Sequence, residues 1–134
     1  MMNHYVMMFG IMILSGFLST MNVWVDKVSD MNLSLNDLYM VLLMSGWMLF
    51  FMAILNGDRT VILIGLTLAL SMIWCIRTQF LVTEEQYLRG MIPHHSMAVL
   101  MSKALQKKNN KIQSLLQNII KSQESEISYM KQLL

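Results

Sequence analysis

The first eighty residues set long apolar runs between short polar breaks. One run extends from about Tyr5 to Val25 and is broken by Ser15, Gly16, Ser19, Thr20 and Asn22. A second covers Leu38 to Leu55, and a third covers Thr60 to Ile76, with Phe80 as its outer limit. A helix of about 18 residues is about 27 Å long, enough to cross the hydrocarbon layer of a bilayer. None of the three runs offers a polar face to water, so the pattern predicts three transmembrane helices. The first run lacks a basic start and a small-residue cleavage pattern, so it is read as a retained span and not as a signal peptide. Asn56-Gly57-Asp58-Arg59 forms a tight turn that makes the second and third helices an antiparallel pair. Asp26 to Asp37 (DKVSDMNLSLND) is polar and turn-forming and is expected to lie at the surface as a loop.

Beyond residue 80 the pattern changes from uniformly apolar to amphipathic. Thr83-Glu84-Glu85-Gln86 has the form of a capping box, with Thr83 as the N-cap. A helix is expected from there to about Gln106, a polar turn at Lys107 to Asn110, and a second helix from about Lys111 to Leu133. Basic residues stand near the end of the first of these helices, as its dipole prefers. The fold class is therefore all-α: a three-span transmembrane region over residues 1–80, then an antiparallel helical hairpin over 81–134. Pro93 removes a backbone hydrogen bond inside the first hairpin helix, so a kink or break is expected between Gly90 and Pro93.

Composition agrees with this division. Hydrophobic residues make up 55% of the 134 and charged residues 13%, with most of the Lys, Arg and Glu beyond residue 76. A single cysteine, Cys75, excludes an intrachain disulfide. A net charge of +2, with no basic-aromatic pattern, argues against nucleic acid as a partner. Orientation counting sets Lys27, Arg77 and Arg89 against Arg59, which leans toward a cytoplasmic hairpin. Trp24 and Trp74 are placed to act as interfacial anchors.

Methionine is the anomaly, at sixteen residues. The plain reading is an adaptable apolar filler; the sharper one is a supply of thioether ligands for a soft cation such as Cu(I). Met40, Met44, Met48 and Met52 recur every four residues and stack one turn apart along the second span. Gly65 and Ala69 in the third span let helices approach closely. Met48-x-x-x-Met52 followed by Gly65-x-x-x-Ala69 resembles the arrangement in the high-affinity copper transporter family (Ctr). That resemblance implies a trimer around a Met-lined pore. The alternative is that these thioethers pack against neighbouring helices or face lipid.

At about 100° per residue, Tyr87, Met91, Ala98, Ser102 and Leu105 share one stripe of the first hairpin helix, flanked by His94 and His95. Ile112, Leu115, Leu116, Ile119, Met130 and Leu133 form the inner stripe of the second, with Gln123 and Glu126 in its middle. A carboxylate on an apolar seam needs a partner. Folding the hairpin about residue 109 sets His94 and His95 against Gln123 and Glu126, and Met91 against Ile127 and Met130. Imidazole with thioether suits Cu(I), and imidazole with carboxylate suits Cu(II) or Zn(II). The plainer reading is a metal-free buried polar network.

The segment Met91-Ile92-Pro93-His94-His95-Ser96-Met97-Ala98, with Met101, followed by Gln123-x-x-Glu126-Ile127-x-x-Met130, resembles the ferritin-like domain of unknown function 305 family. The resemblance covers about residues 84–134 and implies copper binding outside the cytoplasm, against the charge count above. Carried over by position, it implicates Met91, His94, His95, Met97, Met101, Glu126 and Met130 as metal ligands, with a copper ion as cofactor. It also implies half of a four-helix bundle, completed by a second subunit in a homo-oligomer. No nucleophile–base set and no phosphate-cradling glycine loop is present, so no enzyme is expected. The functional expectation is a membrane-anchored, non-catalytic copper-handling protein whose partners are the lipid bilayer and its own copies. The rival is an oligomeric structural membrane protein or channel.

Overall fold

The computed structural model describes residues 2–134, and every regular element in that range is helical. The five α-helices are α1 (Met2–Leu18), α2 (Leu35–Asn56), α3 (Arg59–Thr78), α4 (Glu84–Gln106) and α5 (Gln113–Gln132). Two single 3-10 turns, Met21–Trp24 and Val28–Asp30, lie between α1 and α2. Contacts divide the chain into two compact units. One is the chain up to Thr20 with Leu35–Val82, and the other is Met21–Ser34 with Thr83–Leu134.

The first unit is built from α1, α2 and α3. Three segments, Asn3–Trp24, Leu35–Asn56 and Arg59–Thr78, are long and apolar enough to cross a membrane. Helix α1 itself ends at Leu18, short of the expected limit at Val25, and Met21–Trp24 belongs to the second unit. Their outward faces carry Leu14, Leu55 and Leu63, all well exposed within the protein. The expected turn is present. Gly57 adopts a left-handed backbone with φ of 68°, and the Asp58 side chain caps α3 by accepting from the Val61 N–H.

Helices α2 and α3 cross through small residues. A Cβ on Gly65 would lie 2.6 Å from the Phe50 backbone nitrogen, and one on Gly46 would lie 2.9 Å from that of Ala69. The expected close approach at Gly65 and Ala69 is thus met by Gly46, which the sequence reading did not single out. The methionine row along α2 divides. Met48 and Met52 pack against the cluster of Tyr5, Leu49, Ala53 and Val61, while Met40 and Met44 are about half exposed. Within one chain the four thioethers therefore do not share a surroundings, because a four-residue repeat drifts around a 3.6-residue helix.

The second unit is the hairpin α4–α5 with residues 21–34 packed on it as a strap. Thr83 caps α4 as expected, its hydroxyl accepting from the Gln86 N–H. Helix α4 runs through Pro93 without a break, so of the expected kink or break the break is absent. The core is Ile92, Val99, Ile127 and Met130, with Leu88, Met91 and Ile120 against it.

The strap corrects the expectation of a surface loop over Asp26 to Asp37. Asn22, Asp30 and Ser34 are buried, and α2 already begins at Leu35. Asn22 closes the strap on itself: its amide donates to the Asn32 carbonyl and its oxygen accepts from the Asn32 N–H, both at 2.8 Å. Gly90 then lets Ser34 lie directly on α4, since a Cβ there would meet Ser34 Oγ at 3.1 Å.

Candidate metal site on the hairpin

The strap decides which face of α4 is buried. Ser96 is fully buried; its hydroxyl accepts from the Asp26 N–H at 2.8 Å and donates to Asp30 Oδ2 at 2.6 Å. Asp30 is also paired with Lys131 of α5. Lys103 bridges strap and hairpin, holding Asp26 at 2.8 Å and Glu124 at 2.9 Å. Burial pushes the Asp30 carboxyl up, but the hydrogen bonds from Lys131 and Ser96 and the Lys131 charge outweigh it and hold the group below its ordinary range. Asp26 and Glu124 hold Lys103 above the ordinary ammonium range through hydrogen bonds and charge.

The inner stripe of α4 is consequently Ile92, Pro93, Ser96, Val99 and Ser102. Of the stripe read from the sequence, Ser102 is buried, whereas Tyr87 and Leu105 are exposed. On α5 the buried positions are Leu116, Ile127 and Met130, while Ile112, Leu115 and Leu133 are exposed. The hairpin is rotated from the expected phase because α4 must bury two flanks, one against α5 and one against the strap. Periodicity alone shows one.

The predicted ligands consequently separate into three groups. His95 and Glu126 meet: Nδ1 lies 3.0 Å from Oε2, with the imidazole 14% exposed and the carboxylate 49%. The contact lies off the N–H direction, so Nδ1 is buried without a directed hydrogen bond despite the short distance. Glu126 itself accepts from the Ser122 hydroxyl at 2.9 Å. It is half solvated at the edge of the seam and not enclosed in its middle, which corrects the expected placement. Burial lowers the His95 pKa, the Glu126 charge partly opposes this, and His94 adds to the lowering. The ring is thus held in its neutral form, the form that binds metals.

His94 points outward, its ring centroid 6.2 Å from that of His95. At about 100° per residue, His94, Met97 and Met101 share the face of α4 opposite its buried stripe. Met101 is 53% exposed and Met97 half-buried. Met91 and Met130 belong to the apolar core cluster. Of the expected meeting of His94, His95, Glu126, Met91 and Met130, the pairs His95–Glu126 and Met91–Met130 are present. His94 is turned outward, because it and His95 diverge by about 100° as consecutive helical residues. Among the described residues, no three His, Cys, Asp or Glu side chains are grouped closely enough to hold an ion. One chain offers an imidazole–carboxylate pair beside a stripe of imidazole and thioethers.

Sequence reasoning missed Asp26, Asp30, Ser96, Lys103 and Lys131. Two acids four residues apart in a short polar stretch, and two lysines spared from the cluster at the hairpin turn, were the available signal.

Residues 77–134 match the family described as Domain of unknown function (DUF305). The chain is also 44% identical over 127 residues to an uncharacterized protein of Acanthamoeba polyphaga mimivirus, covering 90% of this chain and 84% of that one. No solved structure matches the chain.

Proposed function

The chain belongs to the DUF305 family, and from that premise we propose that it is a membrane-anchored, non-catalytic protein that binds a soft metal ion, copper by the chemistry of its side chains. The observation that carries this reading is the buried Nδ1 of His95, close to a carboxylate yet without a directed hydrogen bond. A buried nitrogen of a neutral imidazole beside a carboxylate, with no directed hydrogen bond between them, suits a metal ion placed between the two. Thioether and imidazole groups on the adjoining face, at His94, Met97 and Met101, select soft ions over Mg or Ca.

A single hairpin supplies too few donors to close a coordination sphere. The reading therefore includes a homo-oligomer in which a second hairpin completes a four-helix, ferritin-like arrangement and adds its own donors. Anchoring in the bilayer rests on the three apolar helices. A copper ion would supply the coordinating centre, and His95 with Glu126, beside His94, Met97 and Met101, would hold it at the half-solvated edge of the hairpin, where burial favours the neutral His95 ring. Such a protein stores, senses or passes the ion.

Elemental analysis of the purified full chain, beside a His94→Ala/His95→Ala variant, tests the proposal. Copper retained by the natural chain and lost from the variant supports it. Equal copper in both, or none in either after exposure to Cu(I), contradicts it.

A structural role is the second reading, favoured by the exposed Tyr87, Leu105, Leu115, Tyr129 and Leu133 on the hairpin. In that account the hairpins join subunits without metal. It requires chelator-treated protein to keep its oligomeric state and to take up no Cu(I).

A further inference from the structure

The turn end of the hairpin carries a charge pattern that neither the strap nor the metal site uses. From Gly90 to Gln123 the chain holds no Asp or Glu, while it holds Lys103, Lys107, Lys108, Lys111 and Lys121. Lys103 is neutralised by Asp26 and Glu124. Lys107, Lys108, Lys111 and Lys121 are exposed and belong to no ion pair among the described residues. Three uncompensated positive charges, Lys107, Lys108 and Lys111, therefore gather at the α4–α5 turn, with Lys121 further along α5. Asn110 braces that turn, its amide donating to the Leu105 and Lys108 carbonyls and its oxygen accepting from the Ile112 N–H. Lys107, Lys108 and Lys111 thus stand on a braced turn and not on a loose tail.

Between them sit apolar side chains that the hairpin leaves uncovered. Ile112 is 44% exposed and Leu115 53%. A cationic rim around exposed aliphatic groups matches the surface of an anionic bilayer: ammonium groups meet headgroup phosphates and carboxylates, and aliphatic groups enter the acyl boundary. The same positive charge attracts nucleic acid, but the rest of the pattern does not suit it. No Phe, Trp, Tyr or Arg occurs between Gly90 and Ser128, so the turn has neither a stacking platform nor a guanidinium fork.

We infer that the α4–α5 turn docks on anionic lipid headgroups through Lys107, Lys108 and Lys111, with Ile112 and Leu115 entering the interface. This contact rests on the proposed anchoring in a bilayer, but it is separate from the proposed metal site and does not depend on it.

The test uses the full chain carrying an environment-sensitive fluorophore at Ser114→Cys in a Cys75→Ser background. The protein is reconstituted into vesicles of phosphatidylcholine alone or mixed with phosphatidylserine. The expected result is a blue-shifted, iodide-protected probe only where phosphatidylserine is present, reversed by high salt. Each lysine near an anionic surface contributes about a fivefold factor. Lys107→Gln with Lys108→Gln is therefore expected to lower the docked-to-free ratio about 25-fold, whereas Lys107→Arg with Lys108→Arg preserves it. Identical spectra in the two lipids overturn the inference. So does a blue shift produced by an oligonucleotide on neutral vesicles with none from phosphatidylserine, which assigns the turn to nucleic acid instead.

Discussion

His95 and Glu126 meet across the hairpin at 3.0 Å with unequal burial, the ring nearly enclosed and the carboxylate half in water. Because burial favours the neutral ring, the contact carries no ion-pair energy, and a half-solvated partner would limit even a charged pair to about 0–1 kcal/mol. Leaving a buried ring nitrogen without a directed hydrogen bond costs about 1–3 kcal/mol. The contact is therefore a poor stabiliser of the hairpin and a suitable place for a ligand.

The thioethers are expected to divide by position. Met97→Leu with Met101→Leu should weaken Cu(I) binding at least about tenfold, because it removes both sulfurs that accompany His94 on the outer face. Met130→Leu, a volume-conserving change in the core cluster, should leave binding within about twofold. Competition with a chromophoric Cu(I) chelator measures both. Equal losses would mean that all the thioethers act together, as the family resemblance implies.

The strap should open when its buried pair is broken. Lys131→Met leaves the Asp30 carboxylate, 3% exposed, without its cation, while Lys131 itself is 35% exposed. Breaking a fully buried pair costs about 3–5 kcal/mol; the partial exposure of Lys131 reduces the expectation to about 2 kcal/mol. That corresponds to about 30-fold faster hydrogen exchange at the Asp26 amide. Unchanged exchange would show that Ser96 and the other contacts hold the strap without Lys131.

Strap docking should depend on pH only at the extremes. Asp30 has a folded pKa below its ordinary 3.8, so its contribution is complete above that value and is lost as pH falls through the folded one. Lys103 has a folded pKa above its ordinary 10.5, so its contribution is complete below that value and is lost as pH rises through the folded one. The chemical shift of the Asp26 amide, hydrogen-bonded to Ser96, should stay constant across the neutral range and move only in strong acid or strong base. A transition near neutrality would contradict the assignment.

Gly65→Ala should separate α2 from α3. The added Cβ meets backbone atoms of Phe50 and Gly46, which do not yield as a flexible side chain does. The expected cost is about 2 kcal/mol in thermal unfolding of the detergent-solubilised chain. Gly10→Ala in α1, where nothing lies within 4 Å of the new Cβ, should be neutral or stabilising by up to about 1 kcal/mol.

The two halves of the chain differ in how much of them could be read in advance. The long apolar segments, the turn at Gly57 and Asp58, and the Thr83 cap are local signals, and each is present. The small-residue crossing was half legible: Gly65 and Ala69 stood out by spacing, while Gly46 lies on another helix and had no local pattern. The strap was not legible. Asp30 and Lys131 are 101 residues apart, and Asp26 and Lys103 are 77 apart. Neither pair leaves a mark on periodicity. That omission propagated to the site. With the strap unknown, periodicity draws the stripe of α4 through Tyr87, Met91, Ala98, Ser102 and Leu105, and leaves Pro93 and Ser96 off it. His95 and Glu126 were still correctly brought together, because the register of a short hairpin follows from its turn.

X-ray absorption at the copper edge of Cu(I)-loaded full chain, compared with His95→Ala, tests the central claim most directly. The account predicts imidazole and sulfur scattering around the metal, with the imidazole signal reduced in the variant. A spectrum that is the same in both proteins, or a natural chain that holds no copper to measure, would contradict it.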